Sequence, residues 1–245
     1  MWPFTKKISL EQSGLFQGLT DWHSHILPGV DDGFQNMEDS LAALQKYEEL
    51  GVKSVWLTPH IMEECRNTTR GLRDRFAELQ AEYQGPIQLQ LAAENMLDSL
   101  FEERFQANDL LTIGPGGNYL LVETSYVNPP YGMEKMMQQI MSAGLTPILA
   151  HPERYRYMEQ DDYMTWKERG VVFQTNFMSL VGMYGETARS KAEWLLKEGL
   201  IDITGSDLHH YRVLLHFLDH KPKNQQALDS LVEIARNPKI LIQNT

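Results

Sequence analysis

The chain contains few residues of several kinds, and each shortage excludes a type of protein. Cys65 is the only cysteine, which excludes an internal disulfide and a cysteine-rich zinc site. Lysine and arginine total 22 against 33 aspartates and glutamates, and the net charge of -11 argues against nucleic acid as a partner. Since no apolar run approaches the roughly 20 residues that cross a bilayer, no transmembrane segment is predicted. No apolar run follows Met1–Lys7 either, so we predict a cytoplasmic protein without a secretory signal.

Short apolar runs alternate with longer amphipathic ones along the whole chain. Several of these short runs are rich in valine, isoleucine and leucine, as buried parallel strands are. We predict strands over residues 19–23, 53–58, 87–92, 119–123, 146–150, 170–174 and 200–204, with helices between them. This order predicts an α/β fold with a parallel sheet, either open or closed into a barrel. No change in composition marks a boundary, so residues 1–245 are predicted to form one domain.

Residue types that bind metals follow most of these predicted strands. The carboxyl ends of parallel strands share one face, and in such folds that face carries the active site. In His23-Ser24-His25 the period-2 geometry of a strand directs both imidazoles to one side. The candidate ligands are His23, His25, His60, Glu94, Glu123, His151, Asp207 and His209. One divalent ion cannot use so many ligands, so two or three ions are predicted, of Mn, Fe or Zn rather than Ca or Mg.

Two further features near these motifs have competing interpretations. Asp31 and Asp32 lie in a turn-rich loop after the first strand, where they either shape the turn or supply a ligand, and we favour Asp32 as the ligand. Cys65 and Arg70 resemble the Cys-x5-Arg motif of cysteine phosphatases, but the spacing is one residue short. We therefore predict that Cys65 is not a nucleophile.

The motifs together resemble the PHP (polymerase and histidinol phosphatase) superfamily, and more closely its bacterial protein-tyrosine phosphatases of capsule and exopolysaccharide systems. The resemblance covers about residues 20–210 and rests on seven motifs in family order. They are Asp21-Trp-His-Ser-His25, Val30-Asp-Asp-Gly33, Thr58-Pro-His60, Ala93-Glu94, Leu121-Val-Glu123, Ala150-His-Pro-Glu-Arg-Tyr155 and Gly205-Ser-Asp-Leu-His209. The resemblance implies a distorted (β/α)7 barrel of the PHP type. The sequence departs from the family pattern because about 20 residues precede His23-Ser24-His25, so residues 1–19 are predicted to be an N-terminal extension. This extension either packs on the barrel or frays, or it meets a membrane or a partner through Trp2, Phe4, Lys6 and Lys7.

The resemblance also implies three divalent ions, with manganese expected first and iron or zinc as alternatives. It assigns the first ion to His23, His25, Glu94 and Asp207. The second ion is assigned to Glu94, Glu123 and His151, so that Glu94 bridges the two. The third is assigned to Asp32, His60 and His209.

The implied activity is hydrolysis of phosphotyrosine on a protein, by attack of a metal-bridging hydroxide on phosphorus. Arg154, three residues after His151, is expected to bind the phosphate, and Arg212 is the candidate for a second arginine of the family. The implied partner is a bacterial tyrosine autokinase that regulates polysaccharide synthesis. The alternatives are a phosphatase for histidinol phosphate or another small molecule, a PHP-type nuclease, an amidohydrolase, and an inactive barrel that only binds.

Overall fold

The computed structural model describes residues 7–114 and 116–240, and every strand pairing among them is parallel. One sheet has the order β1-β2-β4, and the other has the order β3-β5-β6-β7-β8-β9. The strands are β1 (Thr20–Ser24), β2 (Ser54–Leu57), β3 (His60–Ile61), β4 (Gln88–Leu91), β5 (Glu94–Met96), β6 (Tyr119–Glu123), β7 (Thr146–Ala150), β8 (Val172–Asn176) and β9 (Ile203–Gly205). The result is a mixed α/β fold with a curled parallel sheet.

Two of the predicted strands, 53–58 and 87–92, are each followed after a break by a second short strand that the sequence did not predict. Thr58 and Pro59 separate β2 from β3, and Ala92 and Ala93 separate β4 from β5 at the same level of the sheet. Pro59 lacks the N–H that a strand ladder needs, which explains the first break. The chain continues in the same direction after each break, so that the next strand begins with a residue that the sequence singled out, His60 or Glu94.

The last strand returns to the first. The backbone N–H of Asp207 donates to the carbonyl of His23 at 2.8 Å, and the N–H of His25 donates to the carbonyl of Leu208 at 3.1 Å. These bonds curl the sheet and bring the loop after β9 beside the loop after β1.

Helices connect the strands and cover the outside of the sheet. They are α1 (Met37–Leu50), α2 (Thr69–Glu82), α3 (Ser99–Gln106), α4 (Met133–Ser142), α5 (Gln160–Glu168), α6 (Gly185–Lys197), α7 (Tyr211–Leu218) and α8 (Gln225–Arg236). The side chain of Asn36 caps α1 by accepting from the N–H of Asp39, and Gly51 ends the helix in the left-handed region. Short 3-10 turns follow β7 (Pro152–Arg154) and β8 (Phe177–Val181).

Alternating strand residues fill two separate cores. In β7, Ile148 and Ala150 point inward to a cluster that contains the stacked rings of Trp22 and Trp56, while Leu149 joins the larger core beneath the helices. This period-2 division fills the inside of the curled sheet with apolar side chains. The polar side chains are left to gather where the strands end.

The segment before β1 packs on the rest of the chain. Leu10, Leu15 and Phe16 are buried in the large core, and the N–H of Leu10 donates to the carbonyl of His220. Lys7 is exposed, and Trp2, Phe4 and Lys6 of the predicted extension lie outside the described residues. Across residues 7–114 and 116–240, none of the helices has the length and apolar character to cross a membrane.

Candidate active site

All nine candidate ligands lie together at the carboxyl end of the sheet. β1 and its loop supply three of them, the starts of β3 and β5 supply one each, and the ends of β6, β7 and β9 supply the rest. Seven are buried, His209 is half-buried and Asp32 is exposed. The topology of parallel strands thus brings together residues that are up to 186 positions apart in the sequence.

The deepest of three ligand groups consists of His23, His25, Glu94 and Asp207, with one ligand atom from each within 4.8 Å of the others. The Nε2 atoms of the two histidines are 3.1 Å apart. Glu94 Oε2 lies 3.1 Å from His23 Nε2 and 3.2 Å from His25 Nε2. Asp207 Oδ1 lies 3.6 and 3.4 Å from the same two nitrogens. These four residues are the set that the family resemblance implies for the first ion.

A second group consists of His60, Glu94 and Glu123. His60 Nδ1 lies 3.1 Å from Glu94 Oε2 and 2.9 Å from Glu123 Oε1. His151, which the resemblance assigns here, contacts the other oxygen of Glu94, with its Nε2 atom 2.9 Å from Oε1. Glu94 therefore lies between the first and second groups, as a bridging ligand would.

The third group consists of His25, Asp32, His60 and His209. Asp32 Oδ1 is 3.5 Å from the Nε2 atoms of both His60 and His209. His60 thus contributes its two ring nitrogens to two different groups. The resemblance assigns this histidine to the third ion alone and does not include His25 there.

Neighbouring Asp31 and Asp32 have different positions. The carboxylate of Asp31 is buried and accepts from His25 Nδ1 at 2.8 Å and from the backbone N–H of His60 at 3.0 Å. It therefore turns the Nε2 atom of His25 toward the carboxylates, as partners of metal-binding histidines commonly do. Asp32 instead presents its oxygen to two imidazoles.

The clustered groups shift one another's pKa values. Burial lowers the pKa of His23, but Glu94 and Asp207 together raise it to about 9. Burial raises the pKa of Glu94, yet the nearby imidazoles hold it well below its usual range. Burial and the charge of Arg154 lower the pKa of His151 to about 4. The carboxylates of the cluster, held together in a buried site, therefore attract cations.

Several atoms of this cluster have the properties expected of metal ligands. Glu94 Oε2, Glu123 Oε1, His60 Nδ1 and His151 Nδ1 are buried and make no hydrogen bond of normal geometry, although His60 Nδ1 lies within 3.1 Å of both carboxylate oxygens. Buried polar atoms are normally paired, so these atoms fit a divalent cation as their partner. His151 and Asp207 also have positive φ angles of 33° and 51°, a strain that is found mainly at functional sites.

Arg154 lies beside the cluster. Its Nη1 atom donates to Asp207 Oδ2 at 2.7 Å, and its guanidinium is held over the rings of Tyr126 and Tyr184, 4.2 and 4.3 Å from their centroids. These three side chains line a cavity of about 390 Å³, which we call the Arg154 cavity. A phosphoryl group that enters it would meet a planar donor already held in place.

Arg212 lies in a different environment. It is exposed in the first turn of α7, in a cavity of about 290 Å³ that His209 also lines. Among the described residues it makes no ion pair. Arg154 and Arg212 therefore line separate cavities; Arg154 contacts the cluster at Asp207, and His209 of the cluster lines the cavity of Arg212.

Sequence reasoning did not identify three side chains that hold the ligands in position. Gln174 Oε1 accepts from His23 Nδ1 at 2.8 Å. Asn176 Nδ2 donates to Asp207 Oδ2 at 2.7 Å, and the hydroxyl of Tyr184 donates to the same oxygen at 3.1 Å. Gln174 and Asn176 end β8, so their position was a usable signal, whereas Tyr184 lies in a connecting segment that gives none.

Cys65 lacks the surroundings of a nucleophile. Its thiol donates to the carbonyl of Val30, and burial together with Asp31 and Asp32 raises its pKa. A reactive cysteine requires the opposite shift.

The aromatic side chains near the ends of the strands differ in position. Tyr126 lines the Arg154 cavity, whereas Trp22, Tyr155 and Tyr157 pack within the protein and Tyr131 is fully exposed.

The fold and the cluster define a class: a parallel α/β protein with a buried imidazole–carboxylate centre at the carboxyl end of its strands. A family model described as "Capsular polysaccharide synthesis, CpsB/CapC" matches residues 19–231. The chain belongs to this family.

Relatives of the chain have related names. It is 27% identical over 229 residues to the tyrosine-protein phosphatase CpsB of Streptococcus pneumoniae, covering 88% of this chain and 90% of the relative. It is 24% identical over 200 residues to the tyrosine-protein phosphatase YwqE of Bacillus subtilis, covering 79% and 78%.

Solved structures show the same fold. One belongs to the crystal structures of YwqE from Bacillus subtilis and CpsB from Streptococcus pneumoniae, which are described as unique metal-dependent tyrosine phosphatases. It matches with a TM-score of 0.74 at 22% identity and covers 91% of this chain and 89% of the other. A phosphotriesterase homology protein from Escherichia coli matches more distantly, with a TM-score of 0.53 at 12% identity, and covers 87% and 95%.

Proposed function

We propose that this chain is a metal-dependent phosphatase that hydrolyses phosphotyrosine on a protein. The observation that carries the proposal is the set of three overlapping ligand groups, which share His25, His60 and Glu94, beside an arginine-lined cavity. The names of the relatives point to the same activity. The catalytic use of Arg154, and of Arg212 as a second phosphate contact, is part of the proposal.

The proposed ligands are the nine residues of the cluster, arranged for three divalent ions, with manganese first and iron or zinc as alternatives. Mixed imidazole and carboxylate donors suit these ions better than calcium or magnesium. When bound, such ions polarise phosphoryl oxygens and lower the pKa of water. Glu94, which contacts His23, His60 and His151, is the proposed bridging ligand.

The protein's own groups would bind and orient the substrate. Arg154 would donate to the phosphoryl oxygens, because Tyr126 and Tyr184 fix its guanidinium and Asp207 accepts from one of its nitrogens. Asp31 would keep His25 in the required tautomer. The cavity of about 390 Å³ has room for an aryl phosphate.

The proposal extends to the fold and the partner. If β2 with β3 and β4 with β5 each count as one interrupted strand, the sheet has seven members, as a distorted (β/α)7 barrel requires. We propose that residues 1–245 form this one domain with residues 1–19 as its extension. We further propose that the substrate is a bacterial tyrosine kinase of a capsular polysaccharide system, which the chain meets in the cytoplasm; the family description supports the link to capsule synthesis.

The test is an initial-rate comparison on protein that has been stripped with a chelator and resupplied with Mn, Fe or Zn. A phosphotyrosine peptide and histidinol phosphate are assayed side by side, and bound metal is counted per chain. We expect metal-dependent turnover of the peptide.

His60→Ala is the control, because it removes a side chain that contacts two ligand groups, and it should lose both metal and turnover. Preference for histidinol phosphate would replace the proposed substrate while keeping the metal centre. Absence of metal-dependent turnover on either compound would refute the phosphatase proposal.

A further inference from the structure

Arg156 lies on the wall of the Arg154 cavity, two residues beyond the arginine that faces the cluster. Three other lining side chains tie this cavity to the ligands: Arg154 and Tyr184 donate to Asp207, and the ring of Tyr126 is 5.7 Å from that of His151. A phosphotyrosine that reaches the cluster through this cavity brings its neighbouring residues to the cavity rim.

Local backbone geometry fixes the place of Arg156. Tyr155 between the two arginines is extended (φ -76°, ψ 112°), and its side chain is fully buried. Arg154 ends the 3-10 turn Pro152–Arg154 and reaches inward to Asp207, whereas Arg156, just past the buried Tyr155, is exposed and lines the same cavity. The N–H of Arg156 donates to the carbonyl of Tyr126 at 2.8 Å, which ties this segment to another residue that lines the cavity.

The guanidinium of Arg156 is exposed and lacks an anionic partner. Across residues 7–114 and 116–240, no carboxylate lies within 4.0 Å of it. Arg154, by contrast, is paired with Asp207 and enclosed by two tyrosine rings. Arg156 is thus free to meet an anion on the substrate.

The carboxylates of the same cavity do not neutralise Arg156. Glu186 is paired with Arg189 and Lys223. Glu153 is 1% exposed and accepts from Ser179 Oγ and the N–H of Asn176, so its carboxylate has other partners. Arg156 therefore keeps an unpaired positive charge at this cavity, in a chain whose net charge is -11.

We propose that Arg156 is a specificity-determining residue that binds a carboxylate side chain, Asp or Glu, within two positions of the phosphotyrosine. The proposal rests on the proposed phosphatase function and names a feature of its substrate. An unpaired arginine on the wall of the same cavity as the phosphate-facing one is placed to contact a side chain close to the phosphotyrosine in the substrate. Without it, the acidic protein would repel such peptides.

The experiment compares kcat/KM for pairs of phosphotyrosine peptides that carry either Glu or its neutral isostere Gln at positions -2, -1, +1 and +2. The enzymes are wild type, Arg156→Ala and Arg156→Glu, all loaded with the same metal. Arg236→Ala is the matched control, because Arg236 is also exposed but lies at the end of α8. 4-Nitrophenyl phosphate serves as a substrate without flanking residues.

We expect wild type and Arg236→Ala to prefer Glu over Gln about fivefold at one position, and more at low salt than at high salt. The ratio should fall to about one in Arg156→Ala and invert in Arg156→Glu. Turnover of 4-nitrophenyl phosphate should stay within about twofold in all variants.

Three results would overturn the inference. Wild type could show no preference for Glu at any position, or the preference could survive in Arg156→Ala. Turnover of 4-nitrophenyl phosphate could fall together with peptide turnover in Arg156→Ala, which would make Arg156 a phosphate ligand. Failure of the proposed function has a different signature, because wild type would then hydrolyse neither 4-nitrophenyl phosphate nor any peptide.

Discussion

Two adjacent aspartates show how position, rather than residue type, assigns a role. Asp31 is buried behind His25, and Asp32 faces two imidazoles from the solvent side. A residue that fixes the orientation of a ligand is often nearly as important for metal affinity as the ligand.

We predict that Asp31→Ala weakens metal binding by about 10- to 100-fold, because His25 loses the acceptor for its Nδ1 proton. Competition with a chelator of known affinity measures the change. Asp39→Ala is the matched control, because Asp39 is an exposed aspartate at the start of α1 and should leave the affinity unchanged. Wild-type affinity in Asp31→Ala would contradict the orienting role.

The two candidate arginines should differ in their contributions. Arg154→Lys keeps the charge beside Asp207 but loses the planar fork between two tyrosine rings, so kcat/KM for a phosphotyrosine peptide should fall about 100-fold. Arg212→Lys, at an exposed position, should cost less than about threefold. Steady-state rates at equal metal content measure both changes. Equal losses of kcat/KM in the two variants would contradict the prediction that Arg154 contributes more to catalysis than the exposed Arg212.

The sequence predicts which residues converge because both the ends of the strands and the metal-binding residue types can be identified from it. His60 and Glu94 fall at strand ends in the pattern and lie at the same level in the sheet. Their use as ligands stays a prediction. Tyr184 could not be singled out, since it lies outside the strand ends and uncharged side chains of its kind occur everywhere in a protein.

Among the elements, α1 has the clearest sequence signals. Its observed bounds, Met37–Leu50, follow from a capping Asn36, apolar residues at helical spacing and Gly51. By contrast, no helix was predicted at Tyr211–Leu218. That helix has eight residues and lacks a capping side chain, so the sequence contains no start signal.

We predict that Asn36→Ala lowers the free energy of unfolding by about 1 kcal/mol, because the N–H of Asp39 loses its acceptor. Urea unfolding at constant metal concentration measures this difference. Asn36→Asp retains an acceptor and adds a favourable charge at the helix N-terminus, so it should match or exceed wild type. Equal stability of the Ala variant would mean that the α1 cap contributes nothing.

For the whole molecule, the alternation of strands and helices predicted a parallel α/β fold but left its closure open. Closure depends on contacts such as Asp207 N–H to His23 carbonyl, which join residues 184 positions apart and leave no local pattern. The same contacts bring the carboxylates of the site close together. We therefore expect the stability of the whole chain to depend on metal binding and on pH.

We predict that the gain in melting temperature on metal loading grows as pH rises from 6.5 to about 9. The pKa of His23 is raised from 6.5 to about 9 in the folded chain, so protonation stabilises the metal-free form fully below pH 6.5 and ceases to do so as pH passes 9. A bound cation needs neutral imidazole. As the pH rises from 6.5 to about 9, the cation therefore displaces fewer protons from His23 and binds more tightly. At about 100 times the dissociation constant, one ion adds about 2.7 kcal/mol, or roughly 5–10 °C for a chain of this size. Thermal melts of metal-free and metal-loaded protein at several pH values measure the difference between their melting temperatures. A difference that becomes smaller toward pH 9 would contradict the predicted competition between metal and protons at this cluster.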